Sequence, residues 1–252
     1  MIVPGLVSAT FKTKETKEVI SLAKEAKLEA IEWSEKHHLP IGDLAFAKSV
    51  GEQTLSEGLR IAGYGSYYRL GENMDIRPSI ETALALGTNS VRIWAGSKAS
   101  SLLTKEEREE LTIELARSVE IAKECNVVLK LEWHKNTLTD ENSSALELLK
   151  TINSPHLETL WQPTQALSFE ERKEGIKMVL PYLSYLHVYY WDESGRRPLR
   201  EGIEHWKSYF SLLNRNKEYF GLLEFVQNDS VEQFFADSKV LLDLLKGEKN
   251  YG

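Results

Sequence analysis

At 252 residues, with 42% hydrophobic and 27% charged side chains and a formal net charge of −7, the chain has the makeup of an ordinary globular protein. No apolar run approaches the ~20 residues needed to cross a bilayer, and an acidic balance with both signs interleaved lacks the concentrated Lys and Arg that nucleic-acid binding requires. The opening MIVPGLVSAT has neither the basic start nor the apolar stretch of a signal peptide, and Cys125 is the sole cysteine, so the expectation is a cytoplasmic chain without disulfides that acts on a small molecule.

Short runs of β-type residues alternate with longer segments of helical period. In chain order, the predicted strand Gly5–Thr10 leads to a predicted helix Lys14–Lys27, Ala30–Trp33 to Asp43–Gly58, Ile61–Ser66 to Ile76–Leu86, and Ser90–Trp94 to Lys105–Cys125. Val127–Glu132 leads to Ser143–Ile152, Glu158–Gln162 to Phe169–Leu180, Leu183–Tyr190 to Ile203–Asn214, and Leu222–Val226 to Ser230–Leu245. Thr104 followed by Glu107 reads as a capping box, and Gly58 and Gly87 stand where helices should stop. No linker or low-complexity tract divides residues 1–252, which points to one domain. About eight β/α units on this length predict a single (β/α)₈ barrel. An open doubly wound sheet is the runner-up, but neither a Gly-x-Gly-x-x-Gly nor a Gly-x-x-x-x-Gly-Lys-Ser/Thr loop follows the first strand, which also speaks against a nucleotide cofactor.

In a barrel the working site is built at the C-terminal ends of the strands. The polar and aromatic side chains there are the candidate substrate contacts: Glu32 and Trp33, Tyr64, Tyr67 and Tyr68, Trp94, Gln162 and Gln165, His187 and Tyr189. Residues two apart share a face, which aims Arg92 with Trp94, Glu132 with His134, and His187 with Tyr189 into the mouth. A lone strand-end Glu is often only solvated, and a lone His often a satisfied core residue. Their recurrence at one end argues for function, because a buried carboxylate is costly unless paired, protonated or bound to a metal. Glu132 and Glu224 beside His134 and Arg92 suit proton abstraction next to a carbonyl, with a Glu as base and a cation holding the developing enediolate. With a divalent ion bound, the carboxylates would be ligands and the proton would pass through His134 or a bound water. The aromatic side chains could seat a sugar ring or simply pack. Arg197, in the polar loop Asp192–Arg200, could clamp a phosphate or carboxylate or belong to a solvated loop. The adjacent His37 and His38 diverge and lack a third ligand at useful spacing, which leaves His38 as a candidate substrate contact.

Several of these segments resemble a known family. They are Ile31-Glu32-Trp33, Tyr64-Gly65-Ser66-Tyr67-Tyr68, Val91-Arg92-Ile93-Trp94-Ala95-Gly96, Leu131-Glu132-Trp133-His134 with Asn136-Thr137-Leu138-Thr139-Asp140, and Leu223-Glu224-Phe225. They are similar to the strand-end motifs of the xylose isomerase-like barrels, which include sugar-phosphate isomerases and epimerases, ketose 3-epimerases, endonuclease IV and 3-dehydroshikimate dehydratases. The fifth-strand piece is the most specific, resembling a Glu-x-His…Thr-Leu-Thr-Asp signature. The resemblance spans most of the chain and implies isomerisation or epimerisation of a sugar or sugar phosphate. Glu132 and Glu224 would serve as base and acid, and His134 and Arg92 would polarise the carbonyl.

The resemblance also implies, for metal-dependent members, a divalent ion (Mn, Mg or Zn) held by a Glu on strand five, an Asp on six, a His on seven and a Glu on eight. Glu132 and Glu224 match the first and last. Trp161-Gln162-Pro163 stands where Trp-Asp-Pro is usual, and His187-Val188-Tyr189 where His-x-His is common. Gln162 and His187 are therefore the weaker candidate ligands: Gln lacks the charge of Asp, and a neutral Tyr coordinates these metals poorly. Two alternatives stay open, a dehydratase in which the same base leads to loss of a β-hydroxyl, and a non-catalytic sugar-binding barrel with a degenerate metal site. The partner expected is a small sugar-type molecule, with no nucleic acid and no membrane; a homo-oligomer is left open.

Overall fold

Through residues 1–249, which the computed structural model describes, strand and helix alternate. The elements are β1 (Ile2–Val7), α1 (Thr16–Glu25), β2 (Ala30–Ser34), α2 (Leu44–Ser56), β3 (Arg60–Arg69), α3 (Arg77–Leu86), β4 (Ser90–Trp94), α4 (Lys105–Glu124), β5 (Val128–Leu131) and α5 (Asn142–Ile152). They continue with β6 (Leu157–Trp161), α6 (Phe169–Val179), β7 (Leu183–Val188), the short strands β8 (Tyr190–Asp192) and β9 (Gly195–Arg197), α7 (Ile203–Ser211), β10 (Tyr219–Leu223) and α8 (Val231–Lys249). Local chemistry explains several ends. Thr104 and Glu107 bond each other's backbone N–H groups to open α4, Ser168 and Glu171 do the same for α6, and Gly87, at φ 94°, ends α3 in a conformation that costs glycine little.

Among the described residues, eight parallel strands close in the order β1-β2-β3-β4-β5-β6-β7-β10, with β10 pairing back to β1, and eight helices surround them. This is the single (β/α)₈ barrel that the alternation predicts. Only Ser90–Trp94 keeps its predicted bounds; the other seven barrel strands differ by one to three residues at one or both ends, and three of these shifts bear on the site. The first starts at Ile2 rather than Gly5, because Pro4, a breaker by itself, still offers its carbonyl to the Glu29 N–H at 2.8 Å, and Ser8–Phe11 forms a 3-10 turn instead of strand. The seventh ends at Val188, after which β8 and β9 fold over as an antiparallel hairpin. The eighth barrel strand stops at Leu223, so Glu224 lies just past its end. No described helix is long and apolar enough to cross a membrane.

The inward side chains form tiers. An apolar girdle of Val3, Val7, Ala30, Ala62, Leu160, Tyr185 and Leu222 fills the middle. Toward the N-terminal ends Lys130 pairs with Glu158, which Lys217 approaches at 3.7 Å. Charged residues return at the C-terminal ends. The larger core lies outside the strands, against the helices.

This geometry corrects three expected substrate contacts. Glu32 faces inward, so its neighbour Trp33 faces outward, fully buried, with its indole N–H donating to the Thr54 hydroxyl of α2 at 3.2 Å. A register shift between Ile31 and Glu32 sets Tyr64 opposite Trp33 on the same outer side, where its hydroxyl donates to the Leu39 carbonyl at 3.0 Å. Tyr68 also packs outward, its hydroxyl 3.0 Å from Glu114 and Ser118 of α4. Trp33 and Tyr68 hold helices to the barrel, and Tyr64 holds the loop between β2 and α2. Replacing Trp33 with Ala is accordingly expected to cost about 3–5 kcal/mol of unfolding free energy, read from urea denaturation; a loss below about 1 kcal/mol would remove Trp33 from the core.

Candidate active site

Glu32 of β2, Arg92 and Trp94 of β4 and His187 of β7, with Glu132, Gln162 and Glu224 just past the ends of β5, β6 and β10, place polar side chains over the girdle. Glu32 and Arg92 face each other across Gly65, where a Cβ would come within 3.0 Å of both the Arg92 guanidinium and Glu32 Oε1. The missing side chain is what leaves room for the pair. Arg92, 7% exposed, donates through Nη1 to Glu132 Oε2, and its Nε lies 3.8 Å from Glu32 Oε1. Glu132 Oε2 also accepts the Trp94 indole N–H, and Glu132 Oε1 accepts the Gln162 amide N–H at 3.1 Å. The same amide nitrogen donates to the Trp133 carbonyl at 2.7 Å. Two acceptors on one nitrogen fix which way the amide points.

His187 is fully buried between two carboxylates, Nδ1 3.0 Å from Glu224 Oε2 and Nε2 3.6 Å from Glu32 Oε2. Neither approach is aligned as a hydrogen bond, so the imidazole and carboxylates interact chiefly as charges. Burial alone would strip the proton from His187, but Glu224 and then Glu32 outweigh it and raise its pKa to about 10. Burial likewise opposes charge on Glu32, yet His187 and Arg92 hold its carboxyl down at about 2. For Glu132, burial is outweighed by Arg92 first, then His187, His134 and the Trp94 N–H, so it too stays below the ordinary carboxylate range.

At the rim, Tyr67 and Trp94 lie 5.3 Å apart, and the partly exposed His134 stacks on Trp94 at 5.0 Å and 21°. His134 Nδ1 is 2.7 Å from the Lys135 carbonyl. A carbonyl only accepts, so Nδ1 carries the proton and Nε2 keeps its lone pair in the neutral ring. The segment after β5 fastens this corner: Thr139 donates its hydroxyl to the Glu132 carbonyl at 2.5 Å and Thr137 to the His134 carbonyl at 2.7 Å. Asp140 reaches across to the Ser100 N–H at 3.1 Å. Past β10, Phe225 sits at φ 55°, a left-handed conformation unfavourable for a bulky residue, directly beside Glu224.

Other expected contacts lie elsewhere. Gln165 is exposed. Arg197, in the β8–β9 hairpin, is committed to Glu201 at 2.9 Å and Asp192 at 3.2 Å. His38 packs on the outward Trp33, ring centroids 5.7 Å apart. Tyr189 turns its hydroxyl to the Pro163 carbonyl at 3.0 Å. Four residues outside the predicted site take part: Gly65 as a space-maker, Tyr185 beneath His187 at 5.6 Å, and Thr137 and Thr139 through their clamping hydroxyls. Tyr185 was findable, since it stands two residues before His187 and shares its face.

The residues present do not fit a divalent cation. Among the described residues no group of three or more His, Cys, Asp or Glu is disposed to hold one. Glu132 has both oxygens occupied by N–H donors, Gln162 turns its amide nitrogen toward it, and the Tyr189 hydroxyl points at Pro163.

Residues 20–233 match the model of the xylose isomerase-like TIM barrel. The chain belongs to that family. A 3-dehydroshikimate dehydratase of Bacillus anthracis is 27% identical to it over 210 residues, covering 73% of this chain and 75% of the relative. Among solved structures, the probable 3-DHS dehydratase of petrobactin synthesis from Bacillus anthracis superimposes with a TM-score of 0.81 at 22% identity, over 96% of this chain and 99% of that one. A D-allulose 3-epimerase from Methylomonas sp., in complex with D-allulose, reaches 0.72 at 13% identity, over 97% and 96%. These relatives of the xylose isomerase-like barrel are enzymes; at such identities the structural matches bear on the fold.

The ion cluster gives stability a two-sided pH dependence. His187 keeps its proton up to about pH 10 when folded against 6.5 unfolded, so its contribution is full below pH 6.5 and lost as pH rises through 10. Glu32 contributes above pH 4.5 and loses its contribution as pH falls through about 2. Urea titrations should therefore show unfolding free energy declining between pH 6.5 and 10. His187→Gln should be less stable at neutral pH and lack that decline; an equal decline in the variant would assign it to another group.

Proposed function

We propose that the chain is a dehydratase of a small polyhydroxylated ketone, with 3-dehydroshikimate as the first compound to test. The observation that carries this is the asymmetry of the proton-carrying groups. An epimerase with Glu132 and Glu224 on opposite faces of a sugar needs both to take and return protons, whereas Glu132 is held ionised by Arg92, Trp94 and Gln162. Elimination needs only one base, whose proton can leave with the departing hydroxyl.

That base is His134. Its tautomer leaves Nε2 free at the rim to accept a proton. Nε2 takes the proton from the carbon next to the substrate carbonyl, and the electron pair moves onto the oxygen as an enolate, beside the positive charge of Arg92. As the enolate collapses, the β C–O bond breaks, a carbon–carbon double bond forms, and the imidazolium proton joins the leaving hydroxyl as water. Glu224 offers its carboxylate to substrate hydroxyls, and Tyr67 and Trp94 form a wall for the ring. The dehydratase relative supports this reading over the sugar isomerase expected from sequence.

The test is product analysis of purified protein on 3-dehydroshikimate and, in parallel, on D-allulose and D-tagatose. Expected is loss of one water from the first, with no epimerisation of the ketoses. His134→Gln should lower kcat by about 10²–10⁴ with substrate binding retained. Epimerised ketose without water loss, or full activity in His134→Gln, sinks the assignment; binding without turnover would make this a sugar-binding barrel. A companion change, Thr139→Val, removes a clamp on the Glu132 backbone and should lower kcat by about tenfold with little effect on unfolding free energy, since a side-chain hydrogen bond is worth only about 1 kcal/mol.

A further inference from the structure

The donors around Glu132 bear on a question separate from which reaction is catalysed. We propose that this barrel is a metal-free variant of its family's centre, in which Arg92, with the N–H groups of Trp94 and Gln162, occupies the coordination positions on Glu132 that a divalent ion would use.

The case rests on where each donor atom points. A carboxylate binds a cation through lone pairs, and those of Glu132 are engaged on both oxygens by three N–H donors. Gln162 would have to present its carbonyl oxygen to act as a ligand. Turning the amide over would set that oxygen against Glu132 Oε1 and the Trp133 carbonyl, the two acceptors that now share the amide nitrogen at 3.1 and 2.7 Å, so two hydrogen bonds would be exchanged for two repulsive contacts. Tyr189 is already spent on the Pro163 carbonyl at 3.0 Å, and a neutral phenol is a weak ligand for Mg, Mn or Zn in any case. His187 cannot substitute, because each of its nitrogens faces a carboxylate, Glu224 on one side and Glu32 on the other. Positive charge at this point is thus supplied by the chain itself. Arg92 is 7% exposed and lies between Glu32 and Glu132, in space that Gly65 keeps open. A substrate oxygen entering here meets N–H donors instead of a Lewis acid.

The inference does not depend on the dehydratase reading, and its test reads binding rather than activity. The metal-stripped full chain is titrated calorimetrically with MnCl₂, MgCl₂ and ZnCl₂ beside Glu132→Gln and Glu224→Gln. Expected is no binding that either substitution removes; one equivalent of any ion, lost in either variant, overturns the proposal. The double variant Gln162→Asp with Tyr189→His supplies the two absent ligands. It is expected to gain one Mn²⁺ equivalent, with affinity raised by more than the ~10–100-fold that changes outside the first ligand shell produce, and an electron paramagnetic resonance signal distinct from hexaaquo Mn²⁺. A double variant with native circular dichroism that binds no better than the parent would overturn the assignment of the loss to these positions. If the double variant does not fold, the titration of the parent against Glu132→Gln decides alone.

Discussion

Glu132 is a carboxylate almost withdrawn from water, and keeping it charged there constrains everything around it. An isolated buried anion is costly by many kcal/mol, and it persists only where opposite charge and hydrogen bonds arrive together. Arg92 brings the charge from the neighbouring strand, Trp94 and Gln162 bring the N–H groups, and Gly65 yields the volume. The arrangement then propagates. Arg92 also faces Glu32, Glu32 faces His187, and His187 faces Glu224, so three carboxylates and two cations form one connected group spanning most of the barrel. Removing one member would leave its neighbours buried and unpaired, a larger loss than the pair's own net contribution.

Much of this was legible in the sequence, and the failures have identifiable causes. The alternation of periods, the capping residues and the strand count led to the barrel without error in architecture. Period-two reasoning correctly paired Arg92 with Trp94, yet it needed the strand to stay in register, and near Tyr64 it does not. The shift at Ile31–Glu32 turned Tyr64 away from the mouth, and its one sequence mark is Gly63, the residue set opposite Glu32 where the register slips. Trp33 was open to correction from sequence alone, since Glu32 and Trp33 cannot both point inward from consecutive positions. Arg197 and Gln165 lie in loops, where side-chain direction follows from contacts made far along the chain. Gln162 and Tyr189 are visible as departures from a family pattern, but only the direction of an amide and a hydroxyl shows what they do instead.

The signature after β5 likewise acquires a physical meaning. Its two threonines do not face substrate; they bind the carbonyls of the very residues, Glu132 and His134, whose side chains form the rim. Backbone anchoring of this kind holds an irregular segment to the position that a strand would otherwise define. Across the mouth Phe225 makes the complementary arrangement, a bulky residue kept at positive φ by aromatic neighbours Tyr189 and Trp191 at 5.2 Å each.

The tiering of the barrel interior has a consequence for how such a protein can change. Leu160 separates Glu158 from Gln162 along β6, and Leu222 lies between Phe220 and Glu224 at the other side, so hydrocarbon parts the lower pair from the ions above except along β5, where Lys130 and Glu132 are successive inward residues. It leaves the two charged storeys joined at that one strand alone. The lower storey can keep the strands in register while the upper one gains, loses or exchanges charges, which lets the chemistry at the mouth drift while its foundation stays in place.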